Sequence, residues 1–195
     1  ALVSGTALYV GPESGRIFVL DPQTGVERNE IVLPESLSVT CMKAGAGGYV
    51  YVGTSDGVIG IDSAGALLTG GMPSGSVIGL GVDPLDGFVH AATESALYTL
   101  DPQLELQCVY SGTQGTHAAL AAGPGTLYVG TMEGEVLAYS RCATSWMWRY
   151  PASGLIGSPV TSVLVDPGDI DPVYVATQDG RLISLDLFGE KQWTH

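Results

Sequence analysis

The sequence predicts an all-β chain: a β-propeller of five four-stranded blades, either a closed five-bladed ring or five consecutive blades of a larger one. Three observations predict it. The segment 127–140, LYVGTMEGEVLAYS, has four variants: 8–21 (LYVGPESGRIFVLD), 50–62 (VYVGTSDGVIGID), 89–101 (VHAATESALYTLD) and 173–186 (VYVATQDGRLISLD). Tyr9, Tyr51, His90, Tyr128 and Tyr174 hold one position of this repeat and lie 42, 39, 38 and 46 residues apart, the period of a blade with four short strands. No stretch of ten or more residues combines helical apolar spacing with a cap.

The units divide one domain, 1–195, into approximate repeats 1–35, 36–73, 74–112, 113–154 and 155–195. In the first, strands are expected at 1–4, 8–10, 16–20 and 26–32, with a turn at Asp21-Pro22-Gln23-Thr24-Gly25. There Asp accepts backbone hydrogens, Pro presets φ and Gly takes positive φ. The second places strands at 37–43, 49–53, 58–61 and 67–68, and its hairpin turn contains Asp56-Gly57, a strong short-range hairpin signal. The third places them at 76–82, 88–92, 97–100 and 104–110, the fourth at 116–122, 127–130, 136–139 and 146–150. The fifth has 160–165, 173–176, 182–185 and 191–194. First strands are rich in small residues, such as Ala118-Ala119-Leu120-Ala121-Ala122, which suits crowding around an axis. Second strands are apolar and aromatic, as expected of strands buried between blades. A lone blade cannot bury both faces, so stacking on neighbours supplies the core. The first unit begins on an inner strand and the last ends on an outer one, leaving no strand to fasten a ring. Ring closure is therefore expected to need further blades or a partner chain, because an open arc exposes two apolar faces.

Composition narrows the functions. Hydrophobic residues make up 45% and charged residues 14% of the chain, which excludes a disordered protein. Seven basic against twenty acidic residues give a net charge of −13, with Lys43 and Lys191 the only lysines. Nucleic acid and anionic membrane surfaces are thereby disfavoured, since both need clustered cations. The charge serves solubility, or forms an acidic face for a basic protein partner. The apolar runs are too short to cross a bilayer as helices. The chain opens at Ala1 with no basic-then-apolar segment, so no signal peptide is expected within it, and the start is consistent with a removed leader.

Cys41, Cys108 and Cys142 have no CxxC spacing, so a zinc site is not expected. Cys41 reads as a small buried residue, whereas Cys108 and Cys142 fall in the outer parts of successive repeats, where pairing is one option. Asp166-Pro167-Gly168-Asp169-Ile170-Asp171-Pro172 is the densest carboxylate cluster. It offers oxygens to a hard cation but lacks the ordering of an EF-hand loop. The matching Asp83-Pro84-Leu85-Asp86-Gly87 favours an ordinary turn. His90 replaces a strand tyrosine and reads as a core or edge residue; His117 lies on an inner strand that could face the channel; His195 is terminal. Gly53-Thr54-Ser55-Asp56-Gly57 has Gly-x-Ser-x-Gly spacing but reads as the hairpin turn of repeat two rather than a strand-to-helix elbow, and no phosphate-cradling Gly-x-x-x-x-Gly-Lys is present. Trp146, Trp148 and Tyr150 alternate in the outer strand of repeat four, where they either pack on the adjacent blade or anchor a partner.

The repeat resembles the pyrroloquinoline-quinone-like propeller repeat: a Tyr-Val-Gly strand, an Asp-Gly turn, then Leu-Asp-x-x-Thr-Gly and an outer-strand Trp. Tyr9-Val10-Gly11 with Leu20-Asp21 and Thr24-Gly25 fits it. So does Val173-Tyr174-Val175 with Asp179-Gly180, Leu185-Asp186, Gly189 and Trp193. Trp148 holds the Trp position in repeat four, while repeats one to three lack it, so inter-blade Trp docking is expected to be mostly absent. No Gly-His…Trp-Asp signature of the WD repeat appears. The resemblance implies either a quinoprotein dehydrogenase or a non-enzymatic scaffold, sensor or partner-binding ring. Such dehydrogenases carry adjacent cysteines, a metal-binding Glu/Asn/Asp set and a catalytic Asp. Here there is no Cys-Cys pair, and Asn29 is the only asparagine. The expectation is therefore a non-enzymatic module for protein binding or assembly, with no catalytic, cofactor or metal residue assigned. The alternative is a small-ligand or sugar-binding propeller, or a blade set from a quinoprotein-type enzyme.

Overall fold

The computed structural model describes residues 1–11, 15–34, 37–70, 75–111, 117–143, 145–166 and 169–195. They form five four-stranded antiparallel sheets, each a meander in chain order. Sheet one contains β1 (Leu2–Ser4), β2 (Ala7–Val10), β3 (Arg16–Leu20) and β4 (Glu27–Val32). Sheet two contains β5 (Val39–Ala44), β6 (Val50–Thr54), β7 (Gly57–Ile61) and β8 (Leu67–Thr69). Sheet three contains β9 (Gly79–Val82), β10 (Val89–Ala92), β11 (Ala96–Leu100) and β12 (Leu106–Ser111). Sheet four contains β13 (His117–Gly123), β14 (Thr126–Thr131), β15 (Val136–Ser140) and β16 (Trp148–Tyr150). Sheet five contains β17 (Val160–Asp166), β18 (Asp169–Thr177), β19 (Leu182–Leu185) and β20 (Lys191–Thr194). The one helical element described is a 3-10 turn at Ala46–Gly48. This is the expected blade architecture.

Four hydrophobic cores join the sheets in sequence. Ile17 and Ile31 meet Val50, Val52 and Ile61 between sheets one and two, and Tyr51 and Val58 meet Leu80, Val89 and Leu100 between two and three. Leu97 and Tyr110 meet Leu127, Val129 and Leu137 between three and four. Tyr128 and Ala138 meet Val163, Val175 and Ile183 between four and five. Strand alternation explains the division, because successive side chains point to opposite faces. In β6, Val50 and Val52 pack backward while Tyr51 packs forward. In β14, Leu127 and Val129 pack backward while Tyr128 packs forward. The continuous apolar runs are thus two half-faces serving two neighbours. Among the described residues no such core joins sheet five to sheet one, and Val3 and Leu164 on their outward faces are each 60% exposed.

The Asp closing each second hairpin has a backbone task. The Oδ1 atoms of Asp21, Asp62, Asp101 and Asp186 each accept two backbone N–H bonds of 2.8–2.9 Å from the turn that follows, an Asx-turn arrangement. Backbone donors, with Arg28 beside it, hold the Asp21 carboxyl down at about 2.

The registers bring one outer-strand position of each blade to the turn of the next. Asn29, Leu68, Cys108, Trp148 and Trp193 are equivalent, paired across the ladder with Val19, Gly60, Thr99, Ala138 and Ser184. A Cβ on Gly65 would lie 3.7 Å from Nδ2 of Asn29, so the first junction is a close approach. At the second, Leu68 and Leu104 both lie against Gly60, and Leu104 takes the turn glycine's place at φ 66°. At the third, Cys108 and Cys142 form a disulfide with Cα atoms 5.6 Å apart. At the fourth, Trp148 Nε1 donates to the Leu187 carbonyl at 2.8 Å and its ring lies over Gly189. The expected scarcity of Trp docking therefore holds, yet every junction fills the same position with different chemistry.

Several expectations are corrected. The outer strand of sheet four begins at Trp148 rather than Trp146; its approach is made by Met147, whose N–H donates to the Ala138 carbonyl at 2.7 Å. Strand β9 begins at Gly79 rather than 76. Val77 leaves the ladder and donates its N–H to the Thr54 carbonyl of sheet two at 3.0 Å. Strand β18 begins at Asp169, four residues early, with Asp166 paired to Asp169 across a bulge. Residues 167 and 168 of the carboxylate-rich turn, read above as an ordinary turn rather than a cation site, lie outside the described residues, as do the side chains of 169–171. Cys41 is half-buried rather than buried, a free thiol against Gly53 whose pKa is raised by desolvation.

Candidate functional site: a groove at the rim between sheets four and five

A groove of about 540 Å³ opens where β16 meets the turn between β19 and β20. Its floor is fixed by the Trp148–Leu187 hydrogen bond and by Tyr128, whose ring centroid lies 5.8 Å from that of Trp148. Gly189 makes this approach feasible. At φ 81° it turns the chain, and a Cβ there would come within 2.6 Å of the indole. The walls are apolar and open to solvent: Trp146 is 48%, Met147 49% and Phe188 72% exposed. Arg149, Glu190 and Lys191 supply a polar edge. Arg149 is steadied by Glu135 Oε1, which accepts from Nη1 at 3.3 Å, and by the Ala152 carbonyl, which accepts from Nη2 at 3.4 Å. Aromatic anchors within a polar edge can receive an apolar side chain of a partner and hydrogen-bond its backbone.

The structure separates the three aromatics singled out in the sequence. Trp148 and Tyr150 pack against sheet five, as neighbouring-blade packing predicts, whereas Trp146 precedes the strand and lines the open groove. Sequence reasoning missed Phe188. Its signal lies in the turns: Ala64 and Gln103 hold the corresponding place in sheets two and three, so a phenylalanine in an exposed turn stands apart.

The histidines are elsewhere. His90 is buried, with Nδ1 2.9 Å from Thr99 Oγ1, and burial pulls its pKa down to about 4. His117, expected to be able to face the channel, is also buried. Its Nδ1 lies 2.7 Å from the Thr93 carbonyl, so that nitrogen carries the proton and ties sheet four to sheet three. Desolvation lowers its pKa too, against the pull of that carbonyl. Both Nε2 atoms lack a hydrogen-bond partner among the described residues, consistent with neutral rings. At the expected ordinary turn, Asp83 is buried and accepts from Leu85 N–H at 2.9 Å and from Gly125 N–H of sheet four at 2.7 Å. Arg141 pairs with Asp83 and Asp86 and lies 4.4 Å over the Phe88 ring. That cluster fastens two blades. Among the described residues no group of three or more His, Cys, Asp or Glu side chains is placed to hold a metal, and no helix is long and apolar enough to cross a membrane.

Comparison with known proteins agrees with the geometry. No curated protein matches the sequence. In fold the chain is similar to a WD40-type propeller chain in the crystal structure of the mitotic checkpoint complex, with a TM-score of 0.81 at 15% identity. The match covers 97% of this chain and 62% of that one. The family model described as outer membrane protein assembly factor BamB, a PQQ-like repeat model, matches residues 96–195. Those residues span the last strands of sheet three and all of sheets four and five, including the Trp148 junction and the groove. With just over half of its length matched by that model, the chain belongs to the PQQ-like repeat family of BamB.

Proposed function

We propose that this chain is a non-enzymatic propeller module that binds a protein partner in an assembly, with the groove between sheets four and five as its anchor point. The observation that carries the reading is the set of exposed Trp146, Met147 and Phe188 around a floor held rigid by Trp148. Three large apolar side chains exposed together on a rigid frame mark an interaction site, and a pre-formed groove reduces the ordering cost of binding. The family's description as an assembly factor and the similar chain's place in a protein complex support the same reading. The net charge of −13 supports a partner with basic surface, steered by the field of the whole chain.

Site-specific photo-crosslinking tests it. A photoreactive side chain at Met147 should trap one protein in the cell of origin, and the same group at the exposed Leu85 on another turn should not. Trp146→Ala should remove the crosslink, and the purified pair should bind about thirty-fold more weakly, as expected when a hot-spot aromatic is truncated. A crosslinking pattern equal at both positions, or no trapped protein at Met147, would refute the site.

A further inference from the structure

The chain reaches the groove through a turn unlike its counterparts. In sheets two, three and five the matching turns are 62–65, 101–104 and 186–189, and their fourth residues Gly65, Leu104 and Gly189 hold φ at 86°, 66° and 81°. Each opens on an Asp whose Oδ1 accepts two backbone N–H bonds. In sheet four the turn is 140–143, closed by the Ala143 N–H on the Ser140 carbonyl at 3.0 Å. Ser140 stands where the others have Asp, and the positive φ, 56°, falls one place early, on Cys142. A residue other than Gly seldom occupies that region. This one is covalently bound to Cys108 of sheet three.

The disulfide and the groove share one stretch of chain. Trp146 follows Cys142 by four residues and lines the groove opposite the sheet-five turn that carries Phe188. The flanks have anchors of their own. Before the turn, Arg141 pairs with Asp83 and Asp86; after Trp146, the Met147 N–H donates to the Ala138 carbonyl at 2.7 Å. The floor belongs to the other junction, where Trp148 donates to the Leu187 carbonyl. Opening the disulfide therefore leaves floor and flanks in place and acts on the stretch that carries Trp146. Cys142 is exposed and Cys108 half-buried, and exposed disulfides are the ones open to exchange.

We infer that the Cys108–Cys142 bond is a redox control on the groove: closed, it sets Trp146 in the wall, and opened by a dithiol reductant, it lets the wall move and weakens the grip on the partner. The inference rests on the groove reading given above. In the step, a thiolate of the reductant attacks Sγ of Cys142, the bond to Cys108 breaks, and Cys108 leaves as a thiolate that takes up a proton. The reductant's second thiolate then attacks the mixed disulfide and releases Cys142, which is protonated in turn. The chain gains two electrons and two protons, and the reductant becomes a disulfide. Once free, Cys142 has neither the glycine nor the opening Asp that keep the positive φ in the sister turns, so its backbone can relax out of the left-handed region.

Fluorine NMR of the whole chain labelled with 5-fluorotryptophan tests the hold on Trp146 without any partner. Trp146, Trp148 and Trp193 are the three tryptophans, and replacing each by Phe in turn assigns their signals. Dithiothreitol should open the bond with circular dichroism unchanged, shift the Trp146 signal, and leave those of Trp148 and Trp193 in place. The variant carrying Cys108→Ser and Cys142→Ser should show the shifted Trp146 signal without reductant. With the photoreactive group at Met147, that variant should trap the partner of the oxidised chain with an affinity about tenfold weaker, as expected when an aromatic anchor is displaced. A Trp146 signal unmoved by reduction, loss of the folded spectrum when the bond opens, or equal capture by variant and parent would overturn the inference. If the oxidised chain traps no protein, the groove reading fails, and the fluorine spectra alone uphold or overturn the hold of the bond on Trp146.

Discussion

Replacing Gly189 by Ala tests the junction geometry on which the groove depends. Two costs combine there. At φ 81° an L-residue sits in the left-handed region, at about 1–2 kcal/mol. The new methyl would also stand 2.6 Å from the Trp148 indole, so ring or turn must shift, and overpacking of this kind costs roughly 1–3 kcal/mol. Gly189→Ala should therefore destabilise by about 2–5 kcal/mol. Gly25→Ala is an internal control, since its φ is 71° with nothing within 4 Å, and only the backbone cost of about 1–2 kcal/mol applies. Any gain from a stiffer unfolded chain is common to both. In a Trp148→Ala background the overpacking disappears, and Gly189→Ala should cost no more than Gly25→Ala does in the parent. Urea denaturation followed by circular dichroism measures all four variants, and the coupling energy from the cycle should be roughly 1–3 kcal/mol. Equal costs at Gly189 and Gly25, or a cycle with no coupling, would refute the claim that Trp148 docks on this turn.

Three further outcomes follow from the other junctions. Cys108→Ser with Cys142→Ser opens a loop spanning 34 residues of separation, so the chain-entropy relation gives a loss of about 4 kcal/mol, readable as a lower urea midpoint that reducing agent reproduces in the parent. Asp83→Ala leaves the Gly125 N–H unsatisfied and removes one partner of Arg141, and should lower stability by about 2–3 kcal/mol, against under 1 kcal/mol for the exposed Glu27→Ala. His90 has its folded pKa lowered from 6.5 to about 4 by burial, so between those values the unfolded chain binds more protons. Its contribution is therefore fully present above pH 6.5 and is lost as pH falls toward 4, up to about 3 kcal/mol. His90→Gln should flatten that part of the stability–pH curve.

The repeat, the strand order and most strand bounds are legible in the sequence, because period-2 alternation and Asp/Gly turns are local properties of consecutive residues. The Asx role of Asp21, Asp62, Asp101 and Asp186 is local in the same way. The junctions are not, since Cys108 meets Cys142, Asn29 meets Gly65 and Leu104 meets Leu68 only after blades stack. Four unlike pairs filling one geometric position leave no shared motif. His117 illustrates the limit: an inner-strand position is visible, but which way the ring turns depends on the Thr93 carbonyl of another sheet. The groove was half legible. Trp146 and Trp148 were visible as aromatics, but alternation alone put both on one face. In the fold the strand starts two residues later and leaves Trp146 outside, on the open groove.

The central claim is an array of five blades joined in sequence by four cores, with no such core between sheets one and five among the described residues. Small-angle X-ray scattering from the chain, extrapolated to zero concentration, measures this directly. The account predicts a curve that matches the open array, with the outward faces of sheets one and five both in solvent. The smaller radius of gyration of a closed five-bladed disc would contradict it.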